Sequence, residues 1–287
     1  MRTYYDIYLD SRKKLRDAGF ESYQQEAKLL LAGASNKTIE KLLAGIQLYT
    51  TDEIADRNNS YVERRLKGEP IAYITNSWEF YGIPYYVNRD VLIPRIDTEV
   101  LIDSAKEILI GKKQDARILD LCCGSGNIGC TLAKEIPASS IIAIDKSKEA
   151  LSVCRQNISR LHLSSRVIAL EGDALSDPTM GIGKFDMLIS NPPYIKTSEI
   201  KKLDSSVKDY EPVLALDGGK TGYDFYRNII KKWTVVLNDN ASIIFEVGEK
   251  QADKVSELLI EAGFTTVYTR KDTINVERAV IGIRNNN

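Results

Sequence analysis

The chain has 287 residues, of which 43% are hydrophobic and 28% are charged, and its formal net charge is −1. This length exceeds one average domain, and the composition excludes a disordered protein. The nearly neutral charge argues against nucleic acid as the main partner, because proteins that bind it usually carry a basic face. We therefore expect a globular protein of two domains without stable nucleic-acid binding.

The amino-terminal segment, Met1–Asp6, lacks the long apolar core of a signal peptide. No window of the sequence approaches the run of about 18 apolar residues that a membrane-spanning helix needs. We therefore expect a cytoplasmic protein that does not associate with membranes.

Residues 1–75 show helical periodicity and no strand signal. Apolar stripes recur at helical spacing, and Gly19, Gly33, Gly45 and Gly68 stand where helices commonly end. The pattern predicts a small helical domain. Such a unit beside a catalytic core favours the recruitment or orientation of a partner, and a purely structural lid is the alternative.

Residues 76–94 change to strand patterning. Trp78–Tyr81 and Tyr85–Val87 flank the turn Gly82-Ile-Pro84, and the three pieces together predict a β-hairpin. Because the pattern before the hairpin is helical and the pattern after it alternates between strands and helices, we expect the hairpin to link two domains.

The segment after the hairpin contains Arg95 and Thr98. We expect Thr98 to cap a helix that runs from about Glu99 to Ile110. Arg95 has two interpretations of equal weight. It forms a surface ion pair with Asp97 or Glu99, or it lies at the edge of a ligand site.

Strands and helices alternate from Ala116 onward, within a predicted domain of residues 95–287. The predicted strands are Arg117–Leu121, Ser140–Asp145, Arg166–Glu171, Phe185–Ser190, Ala241–Val247, Thr265–Thr269 and Glu277–Ile283. The predicted helices in between are Gly129–Glu135, Lys148–Leu161, Tyr223–Leu237 and Gln251–Ala262. This order is typical of an α/β fold with a doubly wound, Rossmann-like, mostly parallel sheet, here of seven strands.

The apolar strand Phe185–Ser190 ends in Asn191-Pro192-Pro193-Tyr194. Open α/β sheets bind ligands beyond the carboxyl ends of such strands. The side chain of Asn191 and the backbone of Pro192 each offer a carbonyl, and together they could accept both hydrogens of a planar NH2 group. Tyr194 could supply an aromatic wall beside that group. The plain alternative is a turn, because Asn and Pro favour turns.

The strand Arg117–Leu121 leads into the glycine-rich turn Gly124-Ser-Gly126, and Asp145 ends the next strand. Such a turn brings backbone N–H groups to a ligand, and an acidic residue about 20 positions later can bind ribose hydroxyls. The same geometry serves dinucleotides and S-adenosylmethionine, so the glycines alone do not separate the two cofactors.

Two further aspartates accompany this turn. Asp120 could hold a cationic amino group or organise the loop, and a capping role at the end of the sheet is the alternative. Asp173 stands where an adenine amino group would be reached, and an ordinary turn aspartate is the alternative.

The end of the fourth strand separates the candidate reactions. Hydride transfer usually needs an acid or base such as His, Lys or Tyr, whereas the acceptors at Asn191 suit methyl transfer to a planar nitrogen. A nicotinamide-dependent oxidoreductase therefore ranks below a methyltransferase. We expect no metal, because Cys122 and Cys123 are adjacent rather than spaced as ligands, and His162 is the only histidine.

The sequence resembles the PrmC/HemK family of protein-glutamine methyltransferases over most of its length. The motifs that carry the resemblance are Gly68-Glu-Pro-Ile-Ala-Tyr73, Glu79-Phe-Tyr-Gly82, Leu92-Ile-Pro-Arg95 with Asp97-Thr-Glu99, Asn191-Pro-Pro-Tyr-Ile195, and Glu211-Pro212 with Ala215-Leu216. It implies a class I S-adenosylmethionine-dependent methyltransferase fold. The reaction implied is methylation of the glutamine nitrogen in the Gly-Gly-Gln loop of class I peptide chain release factors, with S-adenosylhomocysteine as the second product.

The resemblance, together with the positions considered above, gives the expected site residues. Those expected to bind S-adenosylmethionine are Asp120, Cys122, Cys123, Gly124, Ser125, Gly126, Asp145, Asp173, Ala174 and Asn191. Those expected to bind the substrate are Arg95, Asn191, Pro192, Pro193 and Tyr194, of which Asn191, Pro192 and Tyr194 are the expected catalytic residues.

Two departures from the family pattern stand out. Cys122 and Cys123 replace the small Gly and Thr that the family commonly has, which puts cofactor affinity in question. Asn275 stands where a Gly is expected, which puts a local turn in question.

A DNA amino-methyltransferase shares the Asn-Pro-Pro-Tyr motif and is the second hypothesis, although it should carry a basic cleft that the sequence does not indicate.

Overall fold

The structure is a computed structural model that describes residues 2–110 and 115–284. The chain forms two compact units, one of Met1–Ser77 with Asp204–Tyr210 and one of Trp78–Leu203 with Glu211–Asn287. The division predicted from the sequence, at residues 75 and 94, differs in two respects. The hairpin is part of the second unit, and residues 204–210 return to the first. A sequence pattern does not reveal such a return, because it depends on long-range contacts.

The first unit is helical, as its periodicity predicts. Its helices are α1 (Tyr4–Asp17), α2 (Tyr23–Ala34), α3 (Ile39–Ala44), α4 (Asp52–Leu66) and α5 (Ile71–Thr75). The side chains of Thr3, Thr38 and Thr51 accept backbone N–H groups at the starts of α1, α3 and α4, which satisfies donors that a helix end leaves unpaired. Buried apolar residues from all five helices form two clusters in the core of this unit. Gly33, expected at a helix end, lies inside α2.

The second unit begins with a hairpin, as predicted, of β1 (Trp78–Phe80) and β2 (Ile83–Tyr85), but Ile83 and Pro84 belong to β2 rather than to the predicted turn Gly82–Pro84. Tyr81 and Gly82 connect the strands, and both have positive φ, of 53° and 70°. Two such residues form the turn type whose twist suits a two-residue hairpin. The Tyr85 hydroxyl lies 2.8 Å from Thr131 Oγ1, in the buried layer between the hairpin and the α/β core.

The α/β core has seven strands and the helices that cover them. The strands are β3 (Arg117–Leu121), β4 (Ser140–Asp145), β5 (Val167–Glu171), β6 (Phe185–Ser190), β7 (Leu237–Glu246), β8 (Thr266–Lys271) and β9 (Glu277–Ile283). The helices are α6 (Glu99–Leu109), α7 (Asn127–Glu135), α8 (Lys148–Arg160), α10 (Asp224–Trp233) and α11 (Ala252–Glu261), while the short α9 (Ser205–Lys208) belongs to the first unit.

The strand order is β5-β4-β3-β6-β7-β9-β8. The strands from β5 to β7 run parallel, and β9 and β8 are antiparallel to their neighbours. This confirms the predicted seven-stranded, mostly parallel sheet. The order reverses between β3 and β6, so connections leave in opposite directions there and open a crevice at the carboxyl ends of these strands.

The central strand β6 is buried on both faces. Phe185 and Met187–Ser190 have no exposed surface, which agrees with the apolar run that the sequence shows. The Ser190 hydroxyl donates to Leu121 O at 2.7 Å, so a polar side chain inside the sheet still has a partner. The end of β6 is thereby held beside the end of β3.

Several boundaries differ from those predicted. The helix expected over Tyr223–Leu237 ends at Trp233, continues as a 3-10 turn over Thr234–Val236, and is followed by a longer β7 than expected. The helix predicted after Thr98 does begin at Glu99, but Thr98 does not cap it with its side chain. Thr98 has helical backbone angles, is the last residue of the 3-10 turn Ile96–Thr98, and makes no capping hydrogen bond.

The turn between β8 and β9 forms despite the departure at Asn275. Its φ is +68°, a left-handed conformation that Gly adopts freely and Asn tolerates better than most residues. Asp272 Oδ1 accepts the N–H groups of Ile274 and Val276 at 3.0 and 2.9 Å. The turn therefore has its own side-chain support. Within residues 2–110 and 115–284, no helix is long and apolar enough to cross a membrane.

Candidate active site

A cavity opens in the α/β unit at the carboxyl edge of the sheet, where β3 and β6 are neighbours. Its walls come from the ends of β3, β4, β5 and β6 and from residues 90–98 and 212–215. It encloses about 960 Å³ when the open solvent at its mouth is included. Ligands of open α/β sheets bind at this place.

Most residues predicted as site residues line this cavity. They are Arg95, Cys122, Cys123, Gly124, Ser125, Asp145, Asp173, Ala174, Asn191 and Pro193. Four other predicted residues do not line it, namely Asp120, Gly126, Pro192 and Tyr194. The structure therefore brings the glycine turn, two carboxylates and Asn191 to one cavity.

The glycine-rich turn follows β3 directly. Cys122, Gly124 and Gly126 have positive φ of 60°, 53° and 77°. A Cβ on Gly124 would meet no atom within 4 Å, so this glycine leaves open space beside the cavity that it lines. A Cβ on Gly126 would lie 2.6 Å from Cys154 Sγ, so only Gly fits there. Helix α7 begins at the next residue.

Asp145 and Asp173 stand at the ends of β4 and β5. Asp145 accepts Gly124 N at 2.8 Å and Ser147 N at 2.9 Å, and burial raises its pKa although these hydrogen bonds oppose the rise. Burial acts in the same direction on Asp173, but Lys146 Nζ at 2.9 Å and the Leu175 N–H outweigh it and lower the pKa of Asp173. Both carboxylates line the cavity as hydrogen-bond acceptors.

Asp120 supports the helix that follows the turn. Its side chain is fully buried, and Oδ2 accepts Gly129 N in the first turn of α7 at 2.9 Å. Burial raises the pKa of Asp120 to about 7. Of the two roles considered for this residue, organisation of the loop fits its position, since it does not line the cavity.

Asn191 and Thr98 meet on the cavity wall. Asn191 Nδ2 donates to Thr98 Oγ1 at 3.3 Å, and both residues line the cavity. Because the amide nitrogen is turned to Thr98, the carbonyl oxygen of Asn191 remains available for another donor. Sequence reasoning assigned Thr98 to a helix cap and therefore missed this contact, which joins segments 93 residues apart.

Tyr194, the last residue of the tetrapeptide, does not line the cavity, so it does not supply the aromatic wall expected from the sequence. Its hydroxyl is 3.5 Å from Glu246 Oε1, and burial raises the pKa of its phenol. Gly218 packs directly on the Tyr194 backbone, since a Cβ there would lie 2.6 Å from the Tyr194 Cα. The Gly218 N–H donates to Ile195 O at 2.8 Å. The tetrapeptide is therefore held from outside by the segment that also lines the cavity through Ala215.

Arg95 forms an ion pair with Glu211, a buried residue, rather than with Asp97 or Glu99 as considered from the sequence. The other oxygen of Glu211 accepts Ile93 N at 3.1 Å. Arg95 also lines the cavity, which agrees with its second interpretation. Glu211 thus ties residues 93–95 to the segment that begins at Pro212, and both segments form one side of the cavity.

Other residues at or near the cavity were missed because their positions depend on the fold. Lys146, Phe225 and Leu214 line the cavity, and the buried Glu246 lies behind Asn191 and Tyr194. A signal existed for Glu246, because a carboxylate that ends an apolar strand is unusual in a core. Among the described residues, no group of three or more His, Cys, Asp or Glu side chains could hold a metal ion.

Comparison with known proteins gives matches over both units. The family model for the PrmC N-terminal domain matches residues 7–75, and that for the methyltransferase small domain matches residues 97–208. The release factor glutamine methyltransferase of Clostridium acetobutylicum is 36% identical over 279 residues, which is 97% of this chain and 98% of that protein. That of Thermodesulfovibrio yellowstonii is 40% identical over 82% of this chain and 86% of that protein.

The chain belongs to the release factor glutamine methyltransferase family. This confirms the resemblance inferred from the motifs and, with the sheet described above, the class I methyltransferase fold. Among solved structures, the catalytic domain of hMettl16 in complex with a MAT2A 3'UTR hairpin aligns with a TM-score of 0.59 at 15% identity. It covers 83% of this chain and 84% of that chain, and at this identity the likeness shows the fold alone.

The cavity fits the cofactor that a family of this fold implies, S-adenosylmethionine. Gly124 leaves room for close approach of a ligand to the backbone, and the carboxylates of Asp145 and Asp173 suit hydroxyl and amino donors. The apolar side chains of Ile128 and Phe225 offer walls for a flat ring. The carboxylate acceptors and apolar walls of the cavity are therefore compatible with a nucleoside that carries a positive charge.

Cys122 provides a test of backbone strain in the cofactor turn. A side chain in the left-handed region costs roughly 1–2 kcal/mol. We expect Cys122→Gly to be more stable than Cys122→Ala by about 1 kcal/mol, although both lose the sulfur, because only Gly relieves the strain. Urea unfolding midpoints of the two variants measure this difference. Equal midpoints, or a more stable Ala variant, would contradict it.

The pH dependence of stability tests whether burial raises the pKa of Asp120. Its pKa rises from 3.8 to about 7 on folding, so its contribution to stability is complete below pH 3.8 and is lost as the pH rises through about 7. Asp120→Asn keeps an oxygen for Gly129 N–H but does not titrate. We expect the free energy of unfolding of the unaltered protein, relative to this variant, to fall between about pH 4 and about pH 7. A difference that is constant over this range would refute the assignment.

Proposed function

We propose that this protein transfers a methyl group from S-adenosylmethionine to the side-chain nitrogen of a glutamine, namely that of the Gly-Gly-Gln loop of class I peptide chain release factors. The observation that carries the proposal is the Asn191–Thr98 contact, which leaves the carbonyl oxygen of Asn191 available on the wall of the cavity that fits the cofactor. The names of the related proteins support the choice of substrate.

The residues of the glycine turn and the strand ends bind the cofactor in this proposal. The turn Cys122–Gly126 approaches the methionyl part. Asp145 accepts hydrogen bonds from the ribose hydroxyls, and Asp173 accepts a hydrogen bond from the adenine amino group. Asp120 holds the turn through Gly129 and does not need to touch the cofactor. When bound, S-adenosylmethionine supplies an electrophilic methyl group on a positively charged sulfur.

Asn191 and Pro192 hold the substrate amide. The carbonyl oxygens of the Asn191 side chain and the Pro192 backbone each accept one hydrogen of the glutamine NH2, which turns the nitrogen towards the cavity. An amide nitrogen is a weak nucleophile, so orientation has to supply much of the rate. Well-oriented groups in intramolecular reactions gain roughly 7–11 kcal/mol, which makes positioning the main catalytic device.

Three other predicted residues complete the substrate site. Pro193 lines the cavity next to Asn191, and the ion-paired Arg95 lines it on the side of residues 212–215. Tyr194 packs behind the tetrapeptide, where its ring holds the backbone in place. Its catalytic contribution in this proposal is therefore to fix the direction of the two carbonyls.

Family membership decides against the nicotinamide-dependent oxidoreductase, and it favours a protein substrate over the DNA base of the second hypothesis. The charge of Arg95, at the cavity, is balanced by Glu211, which does not provide the basic cleft that a DNA substrate needs. We further propose that the protein acts in the cytoplasm, with the release factor as its partner, without a metal and without stable binding to nucleic acid.

Replacement of Asn191 tests the proposed chemistry. Asn191→Ala removes one acceptor, and we expect kcat to fall by about 10²–10³-fold, as for the loss of other preorganised hydrogen-bonding groups. We expect affinity for S-adenosylhomocysteine, measured by calorimetry, to change far less, because most cofactor contacts remain. The assay measures a one-methyl mass gain on the Gly-Gly-Gln peptide of a release factor by peptide fragmentation.

Two controls accompany this experiment. Asn228→Ala removes an amide on α10 that does not line the cavity, and it should leave kcat unchanged. A release factor whose Gly-Gly-Gln glutamine is replaced by glutamate should gain no methyl group at that position. Methylation of an added DNA duplex while the release factor stays unmodified would overturn the proposal.

A further inference from the structure

Glu246 is a buried carboxyl group that the proposed reaction does not use. It ends β7, and the parallel pairing of Ser190 with Phe245 makes Asn191 and Glu246 the next residues of two neighbouring strands. Its residue is only 2% exposed, and Oε2 has no hydrogen-bond partner among the described residues. A buried carboxylate without full pairing is costly, and an amide of the same shape would avoid the charge. This position therefore calls for a functional explanation.

The groups around Glu246 belong to the substrate site. Thr98, itself 1% exposed, and Asn191 both lie near enough to lower the pKa of Glu246, although burial dominates and raises that pKa to about 7. Thr98 Oγ1 accepts Asn191 Nδ2 at 3.3 Å, so its own hydroxyl hydrogen is left for an acceptor. The carboxylate of Glu246 is near enough to feel Thr98, and its Oε2 has no other hydrogen-bond partner among the described residues.

Among the described residues, none of the other charged and titratable groups near Glu246 donates a hydrogen bond to its Oε2 atom. Arg278, from β9, favours the ionised form, and Asp97 opposes it, but these two residues pair with each other at 3.3 Å. The Tyr194 hydroxyl reaches Glu246 Oε1 only at 3.5 Å, and the Tyr226 hydroxyl binds the Glu246 backbone oxygen instead. Oε2 is thus the oxygen that remains for Thr98.

We propose that Glu246 is a positioning residue for the methyl-transfer site. Its carboxylate accepts the Thr98 hydroxyl, which directs the lone pair of Thr98 Oγ1 to Asn191 Nδ2 and so holds the carbonyl oxygen of Asn191 towards the substrate amide. When Glu246 is protonated, it no longer orients Thr98 in this way, and the Asn191 amide loses its fixed direction. This inference rests on the proposed function and adds to it a third residue that acts through the other two.

The first test needs neither substrate nor cofactor. We expect the side-chain amide resonances of Asn191, followed by NMR in the unaltered protein, to shift with a midpoint near pH 7. The shift should disappear in Glu246→Gln and in Thr98→Val, and it should persist in Glu249→Gln, a matched change at an exposed carboxylate in the same segment. Resonances that do not respond to pH, or respond equally in Glu246→Gln, would overturn the proposal.

The second test uses methylation of the release factor. We expect Glu246→Gln and Thr98→Val each to lower kcat by about 10–100-fold, as for small misplacements of a reacting group, with little change in KM. The double variant should be no worse than the poorer single variant, because both break one chain of contacts. Additive losses, or kcat of Glu246→Gln equal to that of Glu249→Gln, would contradict the proposal.

The two tests separate this inference from the proposed function. If the unaltered protein methylates no release factor, the proposed function fails, while the NMR titration still decides whether Glu246 controls Asn191. If Glu246→Gln does not fold, the titration of the unaltered protein and the Thr98→Val variant still give a decision. Loss of the pH response in Thr98→Val would then support the chain of contacts, and its persistence would refute it.

Discussion

The parallel pairing of β6 between β3 and β7 is the constraint on which the rest of this structure depends. β6 has no exposed surface at its apolar positions, so its register is set by burial on both faces. That register places Asn191 beside the glycine turn after β3 on one side and beside Glu246 at the end of β7 on the other. Cofactor turn, substrate acceptor and buried carboxyl thus meet because three strands end together.

The site is held by contacts that come from outside the sheet. Thr98 approaches Asn191 from the segment before α6, and Glu211 ties residues 93–95 to the segment that lines the cavity from the other side. These contacts involve buried polar groups, which are favourable only when they are paired. The polar contacts around the cavity therefore restrict side-chain directions more tightly than the apolar contacts of the core do. Such fixed directions favour a reaction that depends on orientation.

The two departures from the family pattern have different consequences in the structure. Asn275 adopts a left-handed conformation in a turn that Asp272 also supports, so the turn is kept without Gly. Cys122 adopts a similar conformation without the tolerance that Asn has, beside a cavity that it lines. The strain therefore lies in the cofactor turn. In both cases the backbone angle, which the residue type alone does not reveal, explains why a Gly was expected.

The sequence by itself determined the fold class, the strand that carries Asn191 and most of the residues around the cavity. It could do so because buried parallel strands appear as apolar runs and because local turns have characteristic residues. Only the tertiary structure decided that Thr98 supports Asn191 instead of capping a helix, that Arg95 pairs with Glu211, and that Tyr194 lies behind the cavity. These contacts join residues far apart in the chain, and no local pattern encodes which distant side chain will satisfy a buried polar group.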